Sequence, residues 1–218
     1  MTERRLVIFD CDGVLVDSEP ISNRLLAEEI AAARLPMDAE GVVETFEGMR
    51  LGDIQAAVER RLDRPLPDGW LAGFEARRAA AFEQELTPIP GVADALVQLS
   101  AAATPMCVAS QASVEKMELT LSLTGLRDHF PGSALFSSAM VENGKPDPAL
   151  FLLAAESIGF EPDKCMVVED GVPGVEAAQR AGMAVLGYGP GLRGERLQRA
   201  GARVFTSMAD LPRLLSVG

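Results

Sequence analysis

Basic side chains are scarce in this sequence: 20 lysines and arginines stand against 32 aspartates and glutamates, for a net charge of -12. A surface of that sign repels nucleic acid and anionic membranes on average, so any phosphate-bearing ligand must be drawn in by a local site. Long apolar runs are missing too. Met1 to Arg5 is polar and charged, and Leu6 to Phe9 is cut off by Asp10, which leaves no secretory core and no stretch of about eighteen apolar residues. Cysteine is limited to Cys11, Cys107 and Cys165, an odd number with each in or beside an apolar run, so they read as reduced, buried residues rather than a disulfide set. No internal repeat or low-complexity tract occurs. These absences predict a soluble cytoplasmic protein, a monomer or weak homo-oligomer with neither nucleic acid nor membrane as partner. With 48% apolar and 24% charged residues, disorder is excluded as well.

What is present is organised around Val7 to Glu19, read as Val-Ile-Phe-Asp-Cys-Asp-Gly-Val-Leu-Val-Asp-Ser-Glu. Leu6 to Phe9 is short, β-branched and aromatic, which suits a strand buried on both faces of a parallel sheet. The run stops on Asp10, Asp12 follows two residues later, and Gly13 permits a sharp turn out of the sheet. Asp10 and Asp12 are thereby expected at the carboxyl end of a strand, the edge at which open α/β sheets place ligands. Two acids forced together repel unless a cation or a shared proton neutralises them, which points to a hard metal such as Mg²⁺ held by oxygen. A strand that merely closes in a polar Asp-Gly turn accounts for the same four residues with no site at all.

The stretch from Asp10 to Glu19 resembles the first motif of the haloacid dehalogenase superfamily, in its branch of phosphatases and β-phosphoglucomutases with a helical cap after motif one. Down the chain, residues 17–87 show only helical spacing, as in Ile21, Leu25, Leu26 and Ile30 and again in Leu51, Ile54, Val58 and Leu62, and predict a bundle of four short helices. From residue 88 onward amphipathic helices alternate with short apolar strands at Met106–Ala109, Ala134–Phe136, Cys165–Val168 and Ala184–Leu186. The expected fold is therefore α/β: a Rossmann-like doubly wound parallel sheet formed by residues 1–16 and 88–218, with an inserted α-helical bundle cap at 17–87.

Three further motifs lie in the sheet portion. Val108-Ala-Ser110-Gln111 ends a strand, with Ser113 placed to cap the next helix, and a hydroxyl with free N–H groups at such a turn can receive phosphate. Gly144-Lys145-Pro146-Asp147-Pro148 holds one lysine in a stiff loop before a helix, where it can balance carboxylates and a phosphoryl group. Met166-Val-Val-Glu169-Asp170-Gly171 repeats the pattern of an apolar strand ending in two acids and glycine. If that strand lies beside the first, four carboxylates meet at one edge, and uncompensated buried charge costs several kcal/mol.

The four motifs follow the order and spacing of the superfamily, and the resemblance implies their roles. Asp10 would be the nucleophile that takes the phosphoryl group and Asp12 the general acid/base, protonated with help from its acidic neighbours. Ser110 and Lys145 would hold the phosphoryl oxygens; Gly13 and Gln111 are also expected to line the substrate site, although Gln111 departs from the small residue or Asn usual after this serine, and Arg50 is expected there from its own place in an interhelical turn. Mg²⁺ would be bound by Asp10, the Asp12 carbonyl and Asp170, with Glu169 either a ligand or a supporting neighbour. The implied reaction is hydrolysis of a small phosphorylated metabolite, a sugar phosphate or phosphosugar acid, through an aspartyl-phosphate. The alternatives are phosphoryl transfer of the β-phosphoglucomutase type and a non-catalytic phosphometabolite-binding module. Ser22 stands where the mutases carry histidine, and Gly48-Met-Arg50 replaces their Ser-Arg pair, which favours the phosphatase. Thr104 to Ser110 and Asp128 to Pro131 are similar to a bacterial 6-phosphogluconate phosphatase branch. Arg50, with Arg77 or Arg78, is the expected cap contact to the leaving group.

Overall fold

The computed structural model of the protein describes residues 5–46, 49–130 and 132–216; Met1 to Arg4, Gly48 and Pro131 lie outside them. The chain divides into two compact units, one made of the residues up to Asp17 and from Pro88 onward, the other of Ser18–Thr87.

The first unit is built on six parallel strands: β1 (Leu6–Phe9), β2 (Met106–Ser110), β3 (Leu135–Ser137), β4 (Cys165–Glu169), β5 (Ala184–Tyr188) and β6 (Arg203–Phe205), in the order β3-β2-β1-β4-β5-β6. The chain winds outward from β1 to β3, returns to β4 on the other side of β1, and winds outward again. β1 is central and wholly buried, as its unbroken apolar run requires. Its partners fall in register, with Phe9 opposite both Val108 and Val168. The carboxyl ends of β1, β2 and β4 therefore finish level, at the point where strand order reverses and ligands of such sheets bind.

β6 and the helices beside it have no counterpart in the sequence reading. β6 is three residues long and begins on an exposed Arg203, too little for a period-two signal, and it exists because Leu186 to Tyr188 of β5 offers it a paired edge. Among the described residues the α-helices of this unit are α5 (Val92–Ala101), α6 (Val114–Leu123), α7 (Ala149–Ile158), α8 (Val172–Arg180), α9 (Gly191–Arg199) and α10 (Leu211–Ser216).

The second unit carries α1 (Glu19–Ala32), α2 (Ala39–Phe46), α3 (Leu51–Leu62) and α4 (Trp70–Glu85). Their apolar stripes meet in one cluster that includes Ile30, Val58, Phe74 and Phe82. Each such side chain contributes about 1.5–3 kcal/mol on burial, whereas the exposed pairs joining α1 to α4, Arg24 with Glu85 and Arg77 with Glu28 and Glu29, add at most about 1 kcal/mol each. The apolar cluster decides the fold of this unit. Arg77 and Arg78, expected to face a leaving group, are engaged inside it: Arg77 in those ion pairs, Arg78 with its guanidinium 5.1 Å from the Phe74 ring centre and 5.9 Å from that of Phe82.

Candidate active site

β1 delivers Asp10 to the sheet edge, and the next residues curl back on themselves. The Leu15 amide donates to the Cys11 carbonyl and the Gly13 amide to the Val16 carbonyl, both at 2.9 Å. Gly13 has φ +77°, and a Cβ there would lie 2.1 Å from Oδ2 of Asp170. The glycine is thus needed twice, for the left-handed turn and for the approach of a carboxylate from β4. Cys11 is buried within the turn, its Sγ 3.8 Å from Oγ1 of Thr120, and burial pushes its thiol pKa well up, so it stays a thiol.

Asp10 and Glu169 end neighbouring strands and share one cation. Lys145 Nζ donates to Asp10 Oδ1 at 2.5 Å, to Glu169 Oε1 at 2.7 Å and to the Ala109 carbonyl at 3.0 Å, which uses all three of its protons. The three side chains are buried together. Burial alone would lower the Lys145 pKa, but the two carboxylates outweigh it and hold the ammonium charged. Burial also pushes Asp10 up to about 7, with Glu169 and Asp12 adding to the rise and Lys145 opposing it.

Glu169 has little left to offer a further partner. Its Oε2 accepts the amides of Asp170 and Gly171, both at 2.9 Å, while Oε1 is taken by Lys145. Gly174 in α8 makes room for it, since a Cβ there would fall 1.7 Å from Oε1.

Ser110 closes β2 as a buried residue whose Oγ accepts the Ala112 amide at 3.2 Å. Ser113 does cap α6, accepting from the Lys116 amide at 3.3 Å. Gln111 follows Ser110 and reaches the Lys145 loop: its Nε2 donates to the Lys145 carbonyl at 3.4 Å, and its buried Oε1 has no partner among the described residues. Two serines that the sequence reading passed over hold this loop, Ser137 donating to the Ala112 carbonyl at 2.7 Å and Ser138 to that of Gln111 at 3.1 Å. A double serine at the end of an apolar run was the available signal.

Two cations were also passed over. Lys116 Nζ contacts both carboxylate oxygens of Asp12 at 2.7 Å. Arg193 Nη1 donates to Oδ2 of Asp170 at 2.6 Å, its stem lying across Gly189, where a Cβ would come within 2.8 Å. Asp12 is therefore not set among acids alone. Arg50 belongs to the helical unit, at the extended residue that opens α3.

Among the described residues no three His, Cys, Asp or Glu side chains gather as a ready metal cage. The donor chemistry still suits Mg²⁺, which asks for only one or two carboxylates with waters completing its shell. Asp10 and Asp170 follow the neighbouring strands β1 and β4 and offer hard oxygens, and the missing side chain of Gly13 lets the Asp170 carboxylate reach the turn after β1.

A family model described as haloacid dehalogenase-like hydrolase matches residues 4–182. The 6-phosphogluconate phosphatase of Escherichia coli K12 is 33% identical over 215 residues, covering 98% of this chain and 96% of that protein. Two solved structures share the fold across almost the whole chain. A haloacid dehalogenase-like protein from Agrobacterium tumefaciens has 34% identity and a TM-score of 0.81, covering 98% of each chain. A HAD family hydrolase from Deinococcus radiodurans, solved with bound phosphate and sodium, has 33% identity and a TM-score of 0.77, covering 97% of this chain and 95% of that one.

Proposed function

Because the chain belongs to the haloacid dehalogenase-like hydrolase family, we propose that it is a Mg²⁺-dependent phosphatase of a small sugar phosphate or phosphosugar acid, working through phosphorylated Asp10. The observation that carries this reading is the buried Asp10–Lys145–Glu169 cluster at the carboxyl end of the central strand, with Asp12 two residues further on.

Phosphoryl transfer asks chiefly for alignment and for neutralisation of charge. Asp10 attacks phosphorus, so that an Asp10–phosphorus bond forms as the bond to the leaving oxygen breaks, and Asp12 supplies the proton that the leaving alcohol takes away. In the second half Asp12 accepts a proton from water, which attacks the same phosphorus and frees Asp10 with inorganic phosphate. Lys145 offsets the repulsion between Asp10 and an incoming phosphoryl group, and Ser110 with the amides before α6 receives its oxygens. Asp10, Asp170 and the Asp12 carbonyl would hold Mg²⁺, which supplies charge neutralisation at the phosphoryl oxygens. Glu169 acts through Lys145 and the β4 turn, its oxygens being spent there. The relation to a 6-phosphogluconate phosphatase supports a phosphosugar acid as the first substrate to try.

The test is phosphate release from a panel of sugar phosphates, 6-phosphogluconate and p-nitrophenyl phosphate, with Mg²⁺ and with EDTA. Turnover should require the divalent cation and vanish in Asp10→Asn, whose amide cannot accept the phosphoryl group. Activity that survives in that variant, or in EDTA, would move the nucleophile or the metal elsewhere.

A further inference from the structure

α6 grips the Asp10–Asp12 turn at two consecutive residues. Lys116 and Thr120, one helical turn apart on the same face, reach Asp12 and Cys11 respectively. The helix is itself fixed on this side, because Ser113 caps it at the Lys116 amide and Thr120 Oγ1 also donates to the Lys116 carbonyl at 3.0 Å. The Lys116 ammonium meets both oxygens of Asp12 at equal distance, with side chains only 17% and 24% exposed. An ordinary surface pair is more exposed and joins residues with no task of their own. This one is half-sheltered, joins residues 104 apart in sequence, and restrains the carboxylate on which both halves of the proposed reaction depend.

We propose that Lys116 is the positioning residue of Asp12: it holds the carboxylate in one orientation beside Asp10 and, as substrate enters, gives up one oxygen, which takes a proton from solvent and then delivers it to the leaving oxygen. Resting on the phosphatase reading above, this deepens it by naming the group that presents the acid/base. The physical reason is that an aspartate on a partly open turn samples several rotamers, and aligning it anew in every turnover lowers the fraction of productive encounters. A catalytic group displaced by about 1 Å costs on the order of a hundredfold in rate. Lys116 removes that search before substrate enters.

Leaving-group dependence reads this role directly. An alkyl ester such as 6-phosphogluconate needs a proton on its departing oxygen, whereas p-nitrophenolate departs without one. In Lys116→Met, kcat on 6-phosphogluconate, or on glycerol phosphate if that turns over faster, should fall by about thirtyfold or more with KM within about threefold. Release of p-nitrophenolate in a single turnover should stay within about threefold of wild type. Lys116→Arg, which keeps a cation at the position, should recover at least about tenfold of the loss. Lys116→Gln serves the same purpose if the methionine variant folds poorly, as judged by circular dichroism. Equal losses on both esters, no loss on either, or no rescue by arginine would overturn the assignment. Asp10→Asn run in parallel separates the two readings: activity there sinks the phosphatase reading itself, whereas an inactive Asp10→Asn beside a normal Lys116→Met sinks the role of Lys116 alone.

Discussion

Asp10 is asked to be buried and reactive at once, and the two demands conflict. Its carboxyl is pushed up to about 7, first by burial, while its value in an unfolded chain is near 3.8. As pH rises through this window the unfolded state gives up its proton first, so the metal-free fold loses stability between about pH 4 and pH 7 and the loss levels off above. Asp10→Asn removes that titration and keeps an oxygen for Lys145. In EDTA, the melting temperature of the variant should exceed that of wild type by a margin that grows from pH 4 to pH 7, reaching at least about 3 °C. A margin that is flat or shrinks with rising pH would mean that Asp10 is ionised throughout. At this scale the sequence disclosed the residues whose signal is local. Asp10, Asp12, Glu169 and Asp170 each end or follow an apolar run, and Lys145 sits between glycine and prolines. Lys116 and Arg193 carry no such mark, because what makes them partners of Asp12 and Asp170 is the reach of a long side chain across elements brought together only by the sheet.

Among the elements, α8 shows two rules in opposition. Gly174 is a helical residue, and alanine in its place would by propensity gain up to about 1 kcal/mol. The added Cβ would fall within 2.0 Å of the Glu169 carboxyl carbon, and that side chain is pinned by Lys145 and two backbone amides. Displacing it takes hydrogen bonds from a buried lysine and two backbone amides, at about 1–3 kcal/mol for each buried group left unsatisfied, so sterics win. Gly174→Ala should lower the melting temperature by several degrees and activity by tenfold or more, with Gly174→Ser no better. A variant of wild-type stability and rate would show that Glu169 is free to move. The glycine was visible in the sequence and its reason was not, since helical spacing says nothing of what faces the helix. The elements themselves were legible wherever apolar periodicity ran long enough. α6 (Val114–Leu123) opens directly after Ser113, the residue that the sequence marks as its cap. β3 lies one residue later than its apolar run, because Ser137 pairs with Ser110 and extends the ladder beyond it.

Over the whole molecule, the chain leaves the sheet and rejoins it at one place. Val16 bridges Pro88, and the Ile89 amide donates to the Leu15 carbonyl at 2.9 Å, so within the sheet unit the two segments where the chain leaves and re-enters lie side by side. The residues gathered at the sheet edge address a phosphoryl group, which is the same in any ester, and choice among esters must come from groups that meet the remainder of the substrate. Within the helical unit Arg77 and Arg78 contact neighbours of that unit, and Arg50 is the basic residue that the sequence places first for this role. It opens α3 in an extended conformation, its carbonyl accepting the amides of Asp53 and Ile54, and its side chain is partly exposed. A guanidinium suits a substrate carboxylate, which it can bind through two parallel hydrogen bonds. Arg50→Ala should therefore reduce kcat/KM on 6-phosphogluconate by tenfold or more, about 1.4 kcal/mol, and change that on p-nitrophenyl phosphate little. Glucose 6-phosphate, which lacks the carboxylate, should suffer an intermediate or negligible loss. An equal fall on all three esters would assign Arg50 to the stability of α3, and no fall on any would remove it from substrate selection.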